Sequence, residues 1–432
     1  MSRVLDKLKT LLPNGNFARS VTVLAGGTAL GQGLVVLSLP LLSRLYTPED
    51  IGKYGLYTAF VGIASVASSL LYEAAIVSAQ DDDEAAHLTL LAITITILTV
   101  PPAILGFYAL IRFNLLGFGI LPVNIVILTL VALLLTTAFK ALRYWLIRNN
   151  YFAVISQVTM FQGGIQALSQ VGLSLGQLGW VGLLLGDILG RGFGLGRMLS
   201  QSWQELARWV WPIKLSRLAH IAAKYSQFPK YSLPSSLIDV LSMSLSVPLL
   251  TQLYGPVAGG YFVLAQRTLA LPVGLVSSST ADAFHNQVAS YARHNPSKLK
   301  GFFLQTARTL ALIGLFPALT LVFLGPQLFS WVFGATWVES GLLAAVMAPW
   351  SLAGLVVSPL SRIVFVLSGQ QWKLLYDTSA FAALVLAIFG GSMMGLPLAG
   401  SVALLSGLNV VAFGIYFWVL LRIVCSASKL EV

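Results

Sequence analysis

Three arginines are the strongest candidates for chemistry, because each interrupts a long apolar run and has no acidic residue three or four positions away. They are Arg267, Arg308 and Arg362. A cation inside an apolar segment is costly, so each arginine needs a partner elsewhere or a ligand. The guanidinium fork matches phosphate oxygens in geometry and charge. A cleft lined by such groups would suit a phosphate-bearing substrate, and the open alternative is pairing with Asp239, Glu73 or Asp377.

Depth in the predicted helices separates these arginines. Arg267 lies deeper than Arg308 and Arg362, which lie within about two turns of the predicted inner surface, where long side chains reach polar surroundings. Asp239 follows Pro234 on a helix that we expect to be broken near its inner end. We predict all three arginines and Asp239 as substrate-binding residues.

An acid and a base lie four residues apart in a glycine-rich run. Asp187 precedes Arg191, which is the favourable order for an ion pair on one helix. Small residues flank the pair and allow close helix packing; they are Gly182, Gly186, Gly190 and Gly194. We expect a structural ion pair here, with a functional role as the alternative.

A polar stripe recurs on another predicted helix, formed by Gln162, Gln166 and Gln170. Amides on a membrane helix commonly form hydrogen bonds to neighbouring helices. The same groups could meet sugar hydroxyls, so Gln162 and Gln166 are also predicted as substrate-binding residues. Both interpretations stay open from the residues alone.

Several kinds of chemistry have no motif in this sequence. No P-loop, no glycine-rich nucleotide fingerprint after a strand and no metal-ligand spacing occurs. The single cysteine, Cys425, excludes an intramolecular disulfide. We therefore expect no metal and no cofactor, and a transporter driven by ion gradients or substrate supply rather than an enzyme.

The elements that position these residues follow from composition. Of 432 residues, 57% are hydrophobic and only 9% are charged, and the mean hydropathy is +0.83. Soluble proteins have roughly 25% charged residues. Long unbroken apolar runs, such as 88–110 and 123–139, indicate membrane-spanning helices, because backbone polar groups in lipid must be satisfied within the segment.

Windows of about 20 residues predict an all-α polytopic membrane protein with about twelve transmembrane helices. The predicted spans are 20–42, 52–79, 88–111, 119–142, 151–174, 178–199, 230–253, 258–284, 300–324, 341–368, 372–394 and 397–421. We expect two pseudo-symmetric six-helix lobes around a central cavity, over 1–199 and 230–432, joined by a cytoplasmic interfacial linker at 200–229.

The distribution of basic residues predicts the orientation. With the N-terminus inside, the outer loops hold only Arg44, Lys53 and Arg112. The inner segments hold most of the other basic residues, from Arg3, Lys7 and Lys9 to Lys429. The positive-inside rule therefore predicts cytoplasmic termini. Because these residues are spread over every inner loop, the net charge of +11 does not indicate nucleic-acid binding.

The two halves carry an internal repeat. The segment 41–48 lines up with 249–256, and Pro48 matches Pro256. After a one-residue slip, Gly52 matches Gly259 and Tyr54 matches Tyr261. The matches fall at corresponding places in the two halves, which predicts a parallel repeat about an axis along the membrane normal.

Two stretches resemble a known family. Pro40-Leu-Leu-Ser-Arg44-Leu-Tyr-Thr-Pro48-Glu-Asp-Ile-Gly52-Lys-Tyr54-Gly, followed by Tyr72-Glu73-Ala-Ala-Ile76, resembles the opening of the Wzx-type polysaccharide flippases. These belong to the multidrug/oligosaccharidyl-lipid/polysaccharide (MOP) exporter superfamily. The region 325–334 with Trp337 is a second match.

The resemblance implies two six-helix lobes, a cationic cavity and a substrate of undecaprenyl pyrophosphate carrying a short oligosaccharide. That substrate would cross the bacterial inner membrane from the cytoplasmic to the periplasmic leaflet, for O-antigen, lipopolysaccharide, capsule or exopolysaccharide synthesis. Arg44 and Glu73 occupy family-like positions and are expected to shape the first lobe.

Three alternatives stay open. A cation-coupled drug or metabolite exporter of the same superfamily would favour an acidic first-lobe cavity. A membrane polysaccharide polymerase would need a long periplasmic loop, whereas the longest loop here is predicted to be cytoplasmic. The linker at 200–229, which contains Trp203, Trp209 and Trp211, is expected to lie on anionic membrane lipids; its alternative is a docking surface for other polysaccharide assembly proteins.

Overall fold

A computed structural model describes residues 16–211, 214–367 and 369–428. The predicted inner residues Arg3, Lys7, Lys9 and Lys429 lie outside these ranges. The described chain is helical and contains no β-strand. Apolar composition explains this, because a helix satisfies its own backbone hydrogen bonds without water.

The helices α1 to α9 are Asn16–Leu37, Leu39–Leu45, Pro48–Ser68, Tyr72–Ala75, Asp82–Arg112, Ile125–Arg148, Phe152–Ser174, Trp180–Val210 and Leu215–Lys224. The helices α10 to α17 are Leu233–Ser244, Ser246–Tyr254, Pro256–His294, Lys298–Phe333, Val338–Leu360, Ile363–Val366, Gln370–Met393 and Leu398–Ala427. Short 3₁₀ segments occur at Ile76–Ser78, Leu115–Ile120 and Ala335–Trp337, and a π-helical turn at Phe228–Ser232.

Every predicted span coincides with one helix or with consecutive helices. By length and hydropathy, the described residues contain eight helices able to cross a membrane, or nine if one bent pair is a single span. The helices α7, α8 and α12 are not among them. These three carry the glutamine stripe, the Asp187–Arg191 pair and Arg267, and such polar groups lower mean hydropathy.

The predicted span 52–79 is not one straight helix. The axes of α3 and the segment Tyr72–Ser78 differ by 57°. Leu70 and Leu71 between them have φ values of 49° and 60°, a region that a bulky residue rarely adopts. This left-handed turn breaks the span, and the apolar pattern gave no sign of it.

Within the described residues, the first compact unit comprises 16–38, Ala64–Gly106, 126–211 and 214–234. The backbones of α1 and α7 pack directly against each other at Gly31 and Gly163, where a side chain would have no room. One buried core centres on Ile76, Leu88 and Trp145. Small residues at such contacts are typical of membrane helices.

The linker at 200–229 is largely helical and packs on this core. Leu218, Ile221 and Tyr225 are buried there, whereas Trp203, Trp209 and Trp211 are exposed. Arg217 forms an ion pair of 2.6 Å with Asp83, and Lys224 pairs with Glu84. Burial and the hydrogen bond to Glu84 raise the pKa of Tyr225 to about 12. The tyrosine therefore stays neutral and donates to that carboxylate at 2.8 Å.

The second unit comprises Leu39–Ile63, Phe107–Ile125 and Ser235–Val432. Two stretches from the first half of the chain therefore belong to a unit built mainly by the second half. Ser43 attaches one of them: its hydroxyl donates to the Phe333 carbonyl at 3.0 Å. Its own carbonyl accepts a hydrogen bond of 2.8 Å from the Trp337 indole.

The repeat segments meet each other inside this unit. A Cβ on Gly52 would collide with the Pro256 carbonyl, and a Cβ on Gly260 would collide with the Pro48 carbonyl. These contacts are reciprocal, since each glycine lies four residues after a matched proline. The structure thus pairs Gly52 with Gly260 and not with Gly259, so the slip assumed from the sequence is unnecessary.

Replacing Gly260 by alanine should destabilise the protein, because the backbone of α3 must move to admit a methyl group. Overpacking of this kind costs about 1–3 kcal/mol. The matched control is Gly106→Ala, since nothing lies within 4 Å of a Cβ at Gly106. Thermal unfolding of the purified protein in detergent measures both variants. Equal midpoints for the two would contradict the close crossing.

Candidate functional site

The second unit contains a cavity of about 400 Å³ between α10, α12, α14, α16 and α17. Most of its wall is apolar, with Leu269, Met347 and Phe413 as examples. The polar groups of the wall are Asp239, Ser242, Gln266, Arg267, Ser351, Tyr376, Asp377 and Asn409. An apolar pocket with a few convergent polar groups is the usual form of a small-molecule site.

The structure brings two predicted site residues together in this wall. Arg267 comes from α12 and Asp239 from α10. No ion pair joins Arg267 to a carboxylate within the described ranges. The expected alternative, in which a buried acid neutralises Arg267, is therefore not what the described side chains form.

An aromatic ring faces this guanidinium. The Cζ atom of Arg267 lies 4.8 Å from the ring centroid of Tyr54, and Tyr54 is 2% exposed. A cation at this distance from a ring face is attracted by the ring quadrupole, and more strongly where water is excluded. Such a contact holds the guanidinium in place in the cavity wall.

One of the two acids of the cavity has a cation beside it. Asp377 is buried and accepts a hydrogen bond of 2.6 Å from the Lys373 ammonium, one helical turn away. The lining thus carries one arginine and two aspartates. The wall is therefore not the cationic one that the family resemblance implies. Lys373 balances the charge of Asp377 locally.

Aromatic and amide groups complete the wall. Trp350 and Tyr376 line the cavity beside Gln266 and Asn409. The Asn409 amide donates to the Leu405 carbonyl of its own helix at 2.9 Å. Aromatic faces beside hydrogen-bonding groups form the mixed surface that a sugar ring requires.

The other predicted arginines lie elsewhere. Arg308 on α13 and Arg362 between α14 and α15 are exposed, and neither lines this cavity. Arg44 at the end of α2 is exposed as well. The structure therefore brings only Arg267 and Asp239 of the predicted binding residues into one site.

The expected ion pair in the first unit is confirmed. The Arg191 Nε atom lies 2.9 Å from the Asp187 carboxylate, and another guanidinium nitrogen donates to the Thr136 hydroxyl at 2.9 Å. Asp187 is 3% exposed. The pair therefore also links α8 to α6.

The glutamine stripe of α7 packs against the glycine stripe of α8. A Cβ on Gly190 would lie 2.9 Å from Gln166 Cβ, and a Cβ on Gly194 would lie 3.3 Å from the Gln162 side-chain oxygen. The Gln170 amide donates to the Leu183 carbonyl at 2.9 Å. Interhelical packing thus accounts for the position of the stripe, while a sugar contact at Gln162 and Gln166 stays a prediction.

Glu73 is another buried ionisable residue of the first unit. It is 2% exposed, and one of its carboxylate oxygens has no hydrogen-bond partner within the described ranges. Lys140 is close enough to interact with its charge and donates to the Ser65 hydroxyl at 2.8 Å.

Sequence reasoning missed three participants in these sites. Lys373 lies four residues before Asp377, a spacing that predicts an ion pair and could have identified it. Asn409 gave no such signal, and Tyr54 was noted only as a residue of the repeat and of the family-like motif. Tyr54 lies far from Arg267 in sequence, so only the tertiary structure brings them together.

Comparison with known proteins places the chain. A family model described as polysaccharide biosynthesis protein matches residues 41–342, which is more than half of the chain. No curated protein matches the sequence.

Solved structures show the fold. A multidrug resistance MATE family transporter of the MOP superfamily, in an inward-facing conformation, is 16% identical, with a TM-score of 0.66 over 94% of this chain and 96% of that one. Lipid II flippase MurJ, in an inward closed conformation, is 14% identical, with a TM-score of 0.69 over 94% and 90%. A MOP superfamily transporter from Pyrococcus furiosus is 14% identical, with a TM-score of 0.62 over 97% and 98%. The chain therefore has the fold of the MOP superfamily transporters.

Removing one partner of the Asp187–Arg191 pair should destabilise the fold. Asp187→Leu leaves a cation without its counter-charge, which costs about 3 kcal/mol at a buried site. The double variant Asp187→Leu/Arg191→Leu should recover much of this loss. Thermal unfolding in detergent measures both, with Glu49→Ala as control. Glu49 pairs with Lys53 at 2.7 Å on the surface, where the expected cost is under about 1 kcal/mol. A single variant as stable as this control would contradict a structural role for the pair.

Proposed function

Because the chain belongs to the polysaccharide biosynthesis protein family, we propose that it is a flippase for a lipid-linked oligosaccharide. The substrate is undecaprenyl pyrophosphate carrying an oligosaccharide, moved from the cytoplasmic to the periplasmic leaflet for surface polysaccharide synthesis. The observation that carries this proposal is Arg267, a cavity guanidinium that faces an aromatic ring and has no carboxylate partner within the described ranges.

Binding of the pyrophosphate follows from the chemistry of the guanidinium. Its parallel N–H groups donate to two phosphate oxygens at once, and charge-assisted hydrogen bonds of this kind are about twice as strong as neutral ones. Burial in an apolar wall strengthens them further. Arg308 and Arg362, outside the cavity, contact the pyrophosphate on its way to or from Arg267.

The sugars occupy the polar and aromatic part of the site. Trp350, Tyr376 and Asn409 offer ring faces and hydrogen bonds in the cavity. Gln162 and Gln166 of the first unit supply further amides at another stage of transport. The undecaprenyl chain stays in lipid, since transferring it into a polar cavity would forfeit its hydrophobic burial.

The membrane arrangement is that of two six-helix lobes, 1–199 and 230–432, with 200–229 between them. Twelve predicted spans that each coincide with helices support it. The excess of basic residues on one side supports cytoplasmic termini in a bacterial inner membrane. Alternating access between the lobes then moves the head group while the lipid chain remains in the bilayer.

A second candidate is a cation-coupled exporter of drugs or metabolites. Asp239 and Asp377 favour it, because they place two carboxylates in one cavity. Uptake of a cationic dye into inverted vesicles separates the candidates. Dye transport that Asp239→Asn abolishes, without any effect on lipid-linked sugars, would favour the exporter.

Deletion of the gene in its host tests the function directly. Lipid-linked sugars are extracted and identified by mass spectrometry. If the protein is this flippase, we expect a polyprenyl-pyrophosphate oligosaccharide to accumulate on the cytoplasmic leaflet and a surface polymer to be lost. An unchanged pool of lipid-linked sugars together with a normal surface polymer would refute the flippase function.

Arg267→Gln should weaken binding of polyprenyl pyrophosphate to the purified protein in nanodiscs. Loss of hydrogen bonds from a charged group predicts about a tenfold to hundredfold higher Kd. The Kd of Arg267→Lys should lie between those of the parent protein and Arg267→Gln, since lysine keeps the charge but loses the two parallel N–H donors. The control is Arg112→Gln at an exposed helix end. Unchanged affinity in Arg267→Gln would refute the phosphate assignment.

A further inference from the structure

We propose that the contact between Tyr54 and Arg267 locks the crossing of α3 and α12, and that an anion bound to Arg267 releases the lock. The ligand in this proposal rests on the proposed function, whereas the lock itself rests on contacts within the second unit. The proposal makes Tyr54 a positioning residue that couples occupancy of the cavity to movement of the helices.

The crossing is built from backbone and small side chains. Gly52 and Gly260 bring the two helices together at their first turns, each against the carbonyl of the opposite proline. One turn further, Gly55 lies against Val263, which is 3% exposed. At the glycines the two helices meet without a side chain on one partner, so contacts beside the crossing contribute to holding it closed.

The lock is adjacent to the crossing on both helices. Tyr54 lies two residues after Gly52, and Arg267 lies seven residues after Gly260. Seven residues are about two helical turns, so Gly260 and Arg267 share a face of α12. A displacement of either helix at the glycines therefore changes the distance between ring and guanidinium.

Other contacts also attach first-half segments to this unit at residues outside the cavity wall. Ser43 is held by Phe333 and Trp337, and the Gln252 side chain accepts a hydrogen bond from the Gly117 amide. None of these residues lines the cavity, whereas Arg267 does. Arg267 thus connects the cavity to the crossing.

Anion binding opposes the lock because one guanidinium serves both. Phosphate oxygens draw the group along their own hydrogen-bond directions, and these charge-assisted bonds exceed a cation–π contact in strength. A ligand that pulls Arg267 away from Tyr54 removes an attraction across the crossing. The crossing then opens more often, which is the step that alternating access requires of a loaded transporter.

The test measures how often the crossing opens. Val263→Cys is introduced with Cys425→Ser, and maleimide labelling of the new thiol is timed in nanodiscs with and without inorganic pyrophosphate. Removing the ring with Tyr54→Leu should raise the rate by roughly fivefold to thirtyfold, the factor expected for a contact of this kind. Tyr54→Phe keeps the ring and should raise the rate much less than Tyr54→Leu does.

Pyrophosphate should accelerate labelling in the parent, which is the Val263→Cys/Cys425→Ser protein. It should have no further effect when Tyr54→Leu or Arg267→Gln is added to that parent. A second reporter, Ala387→Cys, is fully buried away from the crossing and should label at one slow rate throughout. Equal acceleration at both reporters, or Tyr54→Leu matching the parent, would overturn the lock. Fast labelling in Tyr54→Leu together with a labelling rate that pyrophosphate does not change in the parent would overturn release by the anion, while the lock itself stands. The phosphate assignment is tested separately, by the affinity of Arg267→Gln for polyprenyl pyrophosphate.

Discussion

The cost of a charge in apolar surroundings is the constraint on which this structure depends. A chain with 9% charged residues can carry an ionisable group inside a helix only where a partner stabilises it. Asp187 and Asp377 each obtain a cation one helical turn away. Arg267 differs, because its partner is the ring of Tyr54. Arg267 has no carboxylate partner among the described side chains and also lines the cavity, and this links stability to function.

The internal repeat gives the second unit its geometry. Matched prolines begin α3 and α12, and matched glycines allow the two helices to touch through their backbones. Segments of the first half thereby reach the wall of a cavity formed by the second half. Glycine at both positions makes this close contact possible, because a methyl group at either would collide with the carbonyl of the opposite proline.

The sequence predicts some of these features for physical reasons. Apolar runs locate the helices because lipid leaves the backbone no alternative, and the spacing of Asp187 and Arg191 predicts their pair because it is local to one helix. The left-handed turn at Leu70 and Leu71 is not predictable, since leucine carries no turn signal. The ring that faces Arg267 comes from a distant helix, and no local pattern identifies such a partner.

The central claim is translocation of a pyrophosphate-linked oligosaccharide, and reconstitution measures it most directly. The purified protein is placed in liposomes with a fluorescent polyprenyl-pyrophosphate oligosaccharide in the inner leaflet. A membrane-impermeant quencher is then added outside. The account predicts that intact protein moves the lipid outward, so that quenching grows at a rate that falls sharply in Arg267→Gln. Quenching no faster than in protein-free liposomes, with the protein folded and inserted, would contradict it.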